Sequence, residues 1–205
     1  MRALLLVDIQ NDFMPFGNLP VRAGDEVVAV ANAVAPRFEL VIASQDWHPA
    51  NHGSFASNHP GHEPGDVITL AGIPQVLWPD HCIQNMPGAS FHSGLDVSNI
   101  DAVVCKGTDP SIDSYSAFFD NNHGRDTGLV DMLGERGVEE VWIVGLATDY
   151  CVRWTALDAR SVGLRVVVVA DGVRGVELEP GDSERALQEM VAAGCHIARA
   201  TDALR

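Results

Sequence analysis

The sequence predicts a single doubly wound α/β domain with a mainly parallel sheet of about six strands and helices on both faces. Three observations carry that prediction. Short aliphatic runs recur at Ala3 to Val7, Leu40 to Ala43, Ala102 to Cys105, Val141 to Val144 and Arg165 to Val169, with a weaker one at His196 to Arg199. The runs do not alternate polar with apolar, as expected of strands covered on both faces. Segments of helical period separate them, and a length of 205 residues with 46% hydrophobic side chains suits one packed domain.

The helices follow in chain order. Asp25 is placed to cap a segment in which Val27, Val30, Ala31, Val34 and Phe38 recur at helical spacing. A second helix is expected from about Asp126 to Arg136, closed by Gly137. A third starts near Thr148 or Asp149 and closes at Gly163, and a fourth follows Ser183 and closes at Gly194. Strand and helix alternate throughout, and no linker or repeat divides residues 1–205. The exception is Asp46 to Ile100, rich in proline and histidine and too long for an ordinary connection, so it reads as a functional insertion.

Twenty-eight acidic against thirteen basic side chains give a net charge of −15. Such a surface repels phosphate backbones and anionic lipid, which argues against nucleic-acid and membrane partners. No apolar run approaches the roughly 18 residues of a membrane span. The four cysteines, Cys82, Cys105, Cys151 and Cys195, include no C-x-x-C pair, and the reading is a reducing cytoplasm.

Ligands of open α/β sheets bind beyond the carboxyl ends of the strands. The first strand is followed there by Asp8, the second by Asp46 and His48, the third by Lys106, and the fourth by the turn Gly145 to Cys151. Cys151 would sit in the first turn of a helix, where unpaired N–H groups and the dipole favour a thiolate nucleophile. It reads equally as a small buried hydrophobe, the reading preferred for the other three cysteines. Asp8 emerges from four aliphatics, so burial raises its carboxyl while Lys106 opposes, which suits a group that takes and returns a proton. The alternative is a plain buried Asp–Lys pair. Asp46 and His48, two apart in extended chain, point the same way and could share a cation. His52, His59, His62 and His81 are available to complete a mixed carboxylate and imidazole set suited to zinc, iron or manganese.

Five blocks in order then carry a resemblance: Leu6 to Phe13, Ser44 to Pro49, Trp78 to Cys82, Lys106-Gly107 with Asp113 to Phe118, and Gly145 to Val152. Nearly end to end, the chain resembles the nicotinamidases of the isochorismatase-like cysteine hydrolases, in particular the bacterial nicotinamidase/pyrazinamidase type.

That resemblance implies a metal-dependent hydrolysis of nicotinamide to nicotinate and ammonia within NAD salvage, with pyrazinamide as a second substrate. It implies a triad of Asp8, Lys106 and Cys151, and a cis peptide between Leu146 and Ala147 that aims the Ala147 and Cys151 N–H groups at an oxyanion. It implies one divalent ion, zinc before iron or manganese, held by Asp46, His48 and His81. Some relatives supply a histidine where this chain has Ser54, so Ser54, His52 or water takes the fourth place. Phe13 and Trp78 would wall the substrate ring, with Tyr115 a third such residue or part of the core. A homo-oligomer is compatible with the resemblance. Two rivals remain: an isochorismate, ureido or carbamoyl hydrolase with the same triad but without the metal blocks, and a non-catalytic binding protein on the same fold.

Overall fold

The computed structural model describes residues 1–204. Eight strands form among them: β1 (Arg2–Val7), β2 (Val41–Asp46), β3 (Val67–Leu70), β4 (Ile73–Val76), β5 (Ala102–Lys106), β6 (Glu140–Leu146), β7 (Arg165–Arg174) and β8 (His196–Ala198). Six of them make one sheet in the order β5-β2-β1-β6-β7-β8, and every neighbouring pair is parallel. The predicted fold class is therefore what the chain adopts. The strand order reverses between β1 and β6, so a crevice opens beyond the carboxyl ends of those two strands.

Helices α1 (Glu26–Val34), α2 (Leu129–Glu135), α3 (Arg153–Ser161), α4 (Asp182–Ala192) and α5 (Ala200–Ala203) cover both faces. Alternate β1 residues serve the two cores. Leu4 and Leu6 pack with Val27 and Ala31 of α1 and with Ala203 of α5. Ala3, Leu5 and Val7 pack with Leu133 of α2, Ala156 of α3 and Met190 of α4. Burial of both faces removes any alternation of polarity, which is why the strands read as continuous aliphatic runs. Gly137, Gly163 and Gly194 all take positive φ where the sequence places the helix ends.

Several local expectations are corrected. Asp25 stands at the start of α1, but its side chain makes no capping hydrogen bond. The second strand runs on to include Asp46, and the fourth helix begins at Asp182, before Ser183. The expected third helix opens as one wide π turn over Thr148–Val152, and regular α-helix starts only at Arg153. Edge strand β5 is covered on one face only, so Cys105 is exposed instead of buried. The Asp46 to Ile100 segment contains the antiparallel hairpin β3–β4, separate from the main sheet. Pro74 lies in this two-stranded hairpin, where no central ladder needs its missing N–H.

Candidate active site

Val7 pairs with Gly145 across the β1–β6 seam, and the chains are so close that a Cβ on Gly145 would lie 2.0 Å from the Val7 carbonyl oxygen. Only glycine fits. This approach brings the β1 and β6 exits together. Asp8 leaves β1 with φ 50°, and the Leu146–Ala147 peptide is cis, as the resemblance implies. Lys106 ends β5 and reaches the same point from beyond β2.

Lys106 is the hub. Its fully buried Nζ lies 2.9 Å from Asp8 Oδ2, 2.5 Å from Asp46 Oδ1, 3.0 Å from the Ser114 carbonyl oxygen and 3.3 Å from Cys151 Sγ. Burial opposes its charge, but Asp46 and Asp8 outweigh burial and hold the ammonium charged well above the ordinary lysine range. Asp8 is wholly buried, and burial pushes it up to about 6 against the pull of Lys106. Ser44 donates to Asp8 Oδ1 at 2.6 Å, while Oδ2 accepts no well-aligned hydrogen bond. That oxygen is open to receive a proton. Burial also pushes the Cys151 thiol well up, with Lys106 opposing, against the downward pull expected of a helix start. A proton acceptor beside it is then a chemical requirement. Asp8, Asp46 and Cys151 offer atoms that all lie within 4.8 Å of one another.

Asp46, His48 and His81 form a second buried cluster with ligand atoms within 4.8 Å of one another. His48 Nε2 lies 3.7 Å from Asp46 Oδ1, and His81 Nε2 lies 3.8 Å from Asp46 Oδ2. The Nδ1 atoms of His48 and His81 sit 2.8 Å from the carbonyl oxygens of Gly107 and Pro79. A carbonyl can only accept, so each Nδ1 carries a proton, and in the neutral ring each Nε2 presents its lone pair to Asp46. Two lone pairs facing a carboxylate repel unless a cation lies between them, and that donor set fits a divalent ion. For Asp46, burial would raise the carboxyl, but the Lys106 ammonium holds it far below the carboxylate range.

Of the proposed fourth ligands, His52 stands beside His48 with ring centres 4.3 Å apart, and Ser54 is hydrogen-bonded to His52. The Ser54 N–H donates to His52 Nδ1 at 3.2 Å, and Ser54 Oγ lies 2.7 Å from the same nitrogen. His52 groups with His48 and Asp113. His59 and His62 lie elsewhere, the first against the Gly53 carbonyl and the second paired with Asp66 on the surface.

Between the two clusters lies a cleft enclosing about 360 Å³, part of it open to solvent, walled by Phe13, Trp78, Tyr115 and Tyr150 around Ala147 and Cys151. Phe13 packs on His81 with ring centres 5.6 Å apart, and Trp78 meets Tyr150 edge-on at 4.8 Å. The sequence reading placed Phe13, Trp78 and Tyr115 here and missed Leu19, Asp113, Tyr150 and Val176, which also line the cleft. It also missed two supports. Gln10 grips the Asp46 backbone through its amide, at 2.8 Å to both N and O, and Asp12 Oδ2 accepts the Cys82 N–H at 2.7 Å. Gln10, Asp12, Asp113 and Tyr150 all stand in the quoted blocks, so adjacency to the reactive residues was the available signal; Leu19 and Val176 carried none.

Among known proteins, the chain is 54% identical over 200 residues to the nicotinamidase of Escherichia coli, covering 96% of this chain and 93% of that one. A solved Acinetobacter baumanii nicotinamidase/pyrazinamidase superposes with a TM-score of 0.95 at 46% identity, covering 98% and 97% of the two chains. A solved Pyrococcus horikoshii pyrazinamidase in complex with zinc superposes with a TM-score of 0.79 at 39% identity, covering 97% and 98%. The isochorismatase domain profile matches residues 2–202. The chain belongs to the isochorismatase domain family and is an amidohydrolase of its nicotinamidase group.

Proposed function

We propose that this protein hydrolyses nicotinamide to nicotinate and ammonia through a thioester on Cys151, with pyrazinamide as a second substrate, in NAD salvage. The observation that carries the reading is the convergence of Asp8, Lys106 and Cys151 beside the Asp46, His48 and His81 set at one aromatic cleft.

Cys151 Sγ attacks the carboxamide carbon as Asp8 Oδ2 takes the thiol proton. The carbonyl oxygen gains the charge, and the Ala147 and Cys151 N–H groups are assigned to meet it. Asp8 returns the proton to the amide nitrogen, the C–N bond breaks and ammonia leaves. Water then attacks the nicotinoyl thioester, giving its proton to Asp8, the C–S bond breaks and the thiol is restored. Lys106 holds Asp8 in place and offsets the charge that passes between the carboxylate and sulfur. A divalent ion, zinc first, held by Asp46, His48 and His81, would act when bound as a Lewis acid that orients the pyridine ring through its nitrogen. Phe13, Trp78 and Tyr115 hold that ring between their faces.

The test is ammonia release from nicotinamide by purified protein, run as prepared, after chelation, and after adding back zinc, iron or manganese. Release lost on chelation and restored by an ion is the expected result. No release under any condition overturns the reading and turns attention to isochorismate and ureido substrates.

A further inference from the structure

Gln75 belongs to none of the sequence blocks, yet it is 2% exposed and its side-chain amide is spent on the cleft. It stands on β4, three residues before Trp78. Its Nε2 lies 2.8 Å from the Tyr115 hydroxyl, 3.2 Å from Asp113 Oδ2 and 2.8 Å from the Val76 carbonyl oxygen. A carboxylate and a carbonyl only accept, which fixes the amide with its NH₂ toward Tyr115 and Asp113. Asn121 Nδ2 closes the other side at 3.4 Å from Gln75 Oε1, and Asn121 Oδ1 accepts the Tyr115 N–H at 2.9 Å. The Trp78 indole N–H, which can only donate, reaches the same Tyr115 oxygen at 3.2 Å.

The Tyr115 oxygen thus faces two donor groups, the Trp78 indole N–H and the Gln75 amide, whose two hydrogens are shared among Tyr115, Asp113 and the Val76 carbonyl. The phenol is held from two sides, and its ring is pinned where it forms a wall of the cleft. Tyr115 and Tyr150 rings meet at 5.3 Å, and Tyr150 meets Trp78, so the pin on Tyr115 sets the spacing of three aromatic walls.

We propose that Gln75 is a positioning and specificity-determining residue: from β4 it holds the Tyr115 hydroxyl in place and fixes the width of the slot that admits a flat heteroaromatic amide. This rests on the nicotinamidase reading above. Gln75 acts through Tyr115, so its removal loosens substrate binding more than it slows chemistry.

The experiment measures kcat and KM for nicotinamide in metal-loaded wild type, Gln75→Leu, Tyr115→Phe, the double variant and Gln75→Glu, with thermal melts alongside. For Gln75→Leu the expected result is a rise in KM of about tenfold with kcat changed less than about threefold. In the Tyr115→Phe background, which has no hydroxyl to hold, most of that rise should disappear. Gln75→Glu keeps the shape but loses its donor when ionised. Its KM should approach wild type as pH falls and the acid regains a proton, a recovery that packing alone would not give. KM within about twofold of wild type in Gln75→Leu, or a rise undiminished in the Tyr115→Phe background, overturns the proposal. If Gln75→Leu does not fold, a KM for Gln75→Glu that is independent of pH, relative to wild type, does the same. A wild type without nicotinamide hydrolysis fails the functional reading itself, whereas an active wild type with an indifferent Gln75 fails only this inference.

Discussion

Replacing Lys106 by methionine removes one cation from between two buried carboxylates while keeping most of the side chain's volume. Nζ contacts Asp8 at 2.9 Å and Asp46 at 2.5 Å, and among the described residues neither carboxylate has another buried cationic side chain of fixed charge in contact. Breaking a buried ion pair by deleting one partner costs about 3 to 5 kcal/mol, because the remaining charge stays buried and unpaired. With a urea slope of about 2 to 3 kcal/mol per molar for a domain of this size, the unfolding midpoint should fall by roughly 1 to 2.5 M at pH 8 in the presence of chelator. Two further signatures follow. Zinc on Asp46, His48 and His81 would neutralise one of the two orphaned charges, so the deficit should shrink when the ion is added. Lys106 is also the group that lowers Asp8 against burial, so the variant's Asp8 should titrate above its present value of about 6. A carboxyl raised above its unfolded value binds its proton more tightly in the folded state, so the destabilisation should be full at high pH and fade as pH falls through that raised value. Urea unfolding at pH 8 and pH 5.5, with and without zinc, reads all three effects. An unchanged midpoint at pH 8, or a deficit that grows on acidification, would refute the electrostatic account of Lys106.

Other outcomes follow from the same geometry. Because Asp8 must be ionised to accept the thiol proton, kcat/KM should be flat above about pH 6 and fall by about tenfold per unit below it; a profile flat down to pH 4.5 excludes that role. A Cβ on Gly107, whose φ is 62°, would lie 2.3 Å from His48 Cε1, so Gly107→Ala should weaken zinc binding by about 10- to 100-fold in chelator competition. Equal zinc affinity in that variant would remove His48 from the metal set. Cys105 is exposed on the open face of β5, away from the cleft, so Cys105→Ser should leave turnover within about twofold of wild type.

The sheet was legible because burial on both faces turns each central strand into an unbroken aliphatic run, as in Leu4 to Val7 and Val141 to Val144. The reactive residues were legible because a parallel sheet delivers whatever follows its strands to one edge, where Asp8, Asp46, Lys106 and Cys151 meet. The β3–β4 hairpin was not, since its short strands carry exposed Val67 and Pro74 and no clean alternation. The upward push of burial on the Cys151 thiol escaped as well. A helix start argues for a thiolate, but the wide turn and complete burial outweigh it, and burial cannot be read one residue at a time. Gln75 and Val176 reach the cleft only through tertiary contact, so nothing local to their positions marks them.

The most direct test of the central claim compares nicotinamide turnover by metal-replete wild type and Cys151→Ala, with metal content and thermal melting measured on both. The account predicts that the variant folds and binds metal like wild type while ammonia release falls by at least about 10⁴-fold, since Cys151 lines the cleft whereas Ser44, the hydroxyl that also touches Asp8, does not. Near-normal turnover by Cys151→Ala would contradict it.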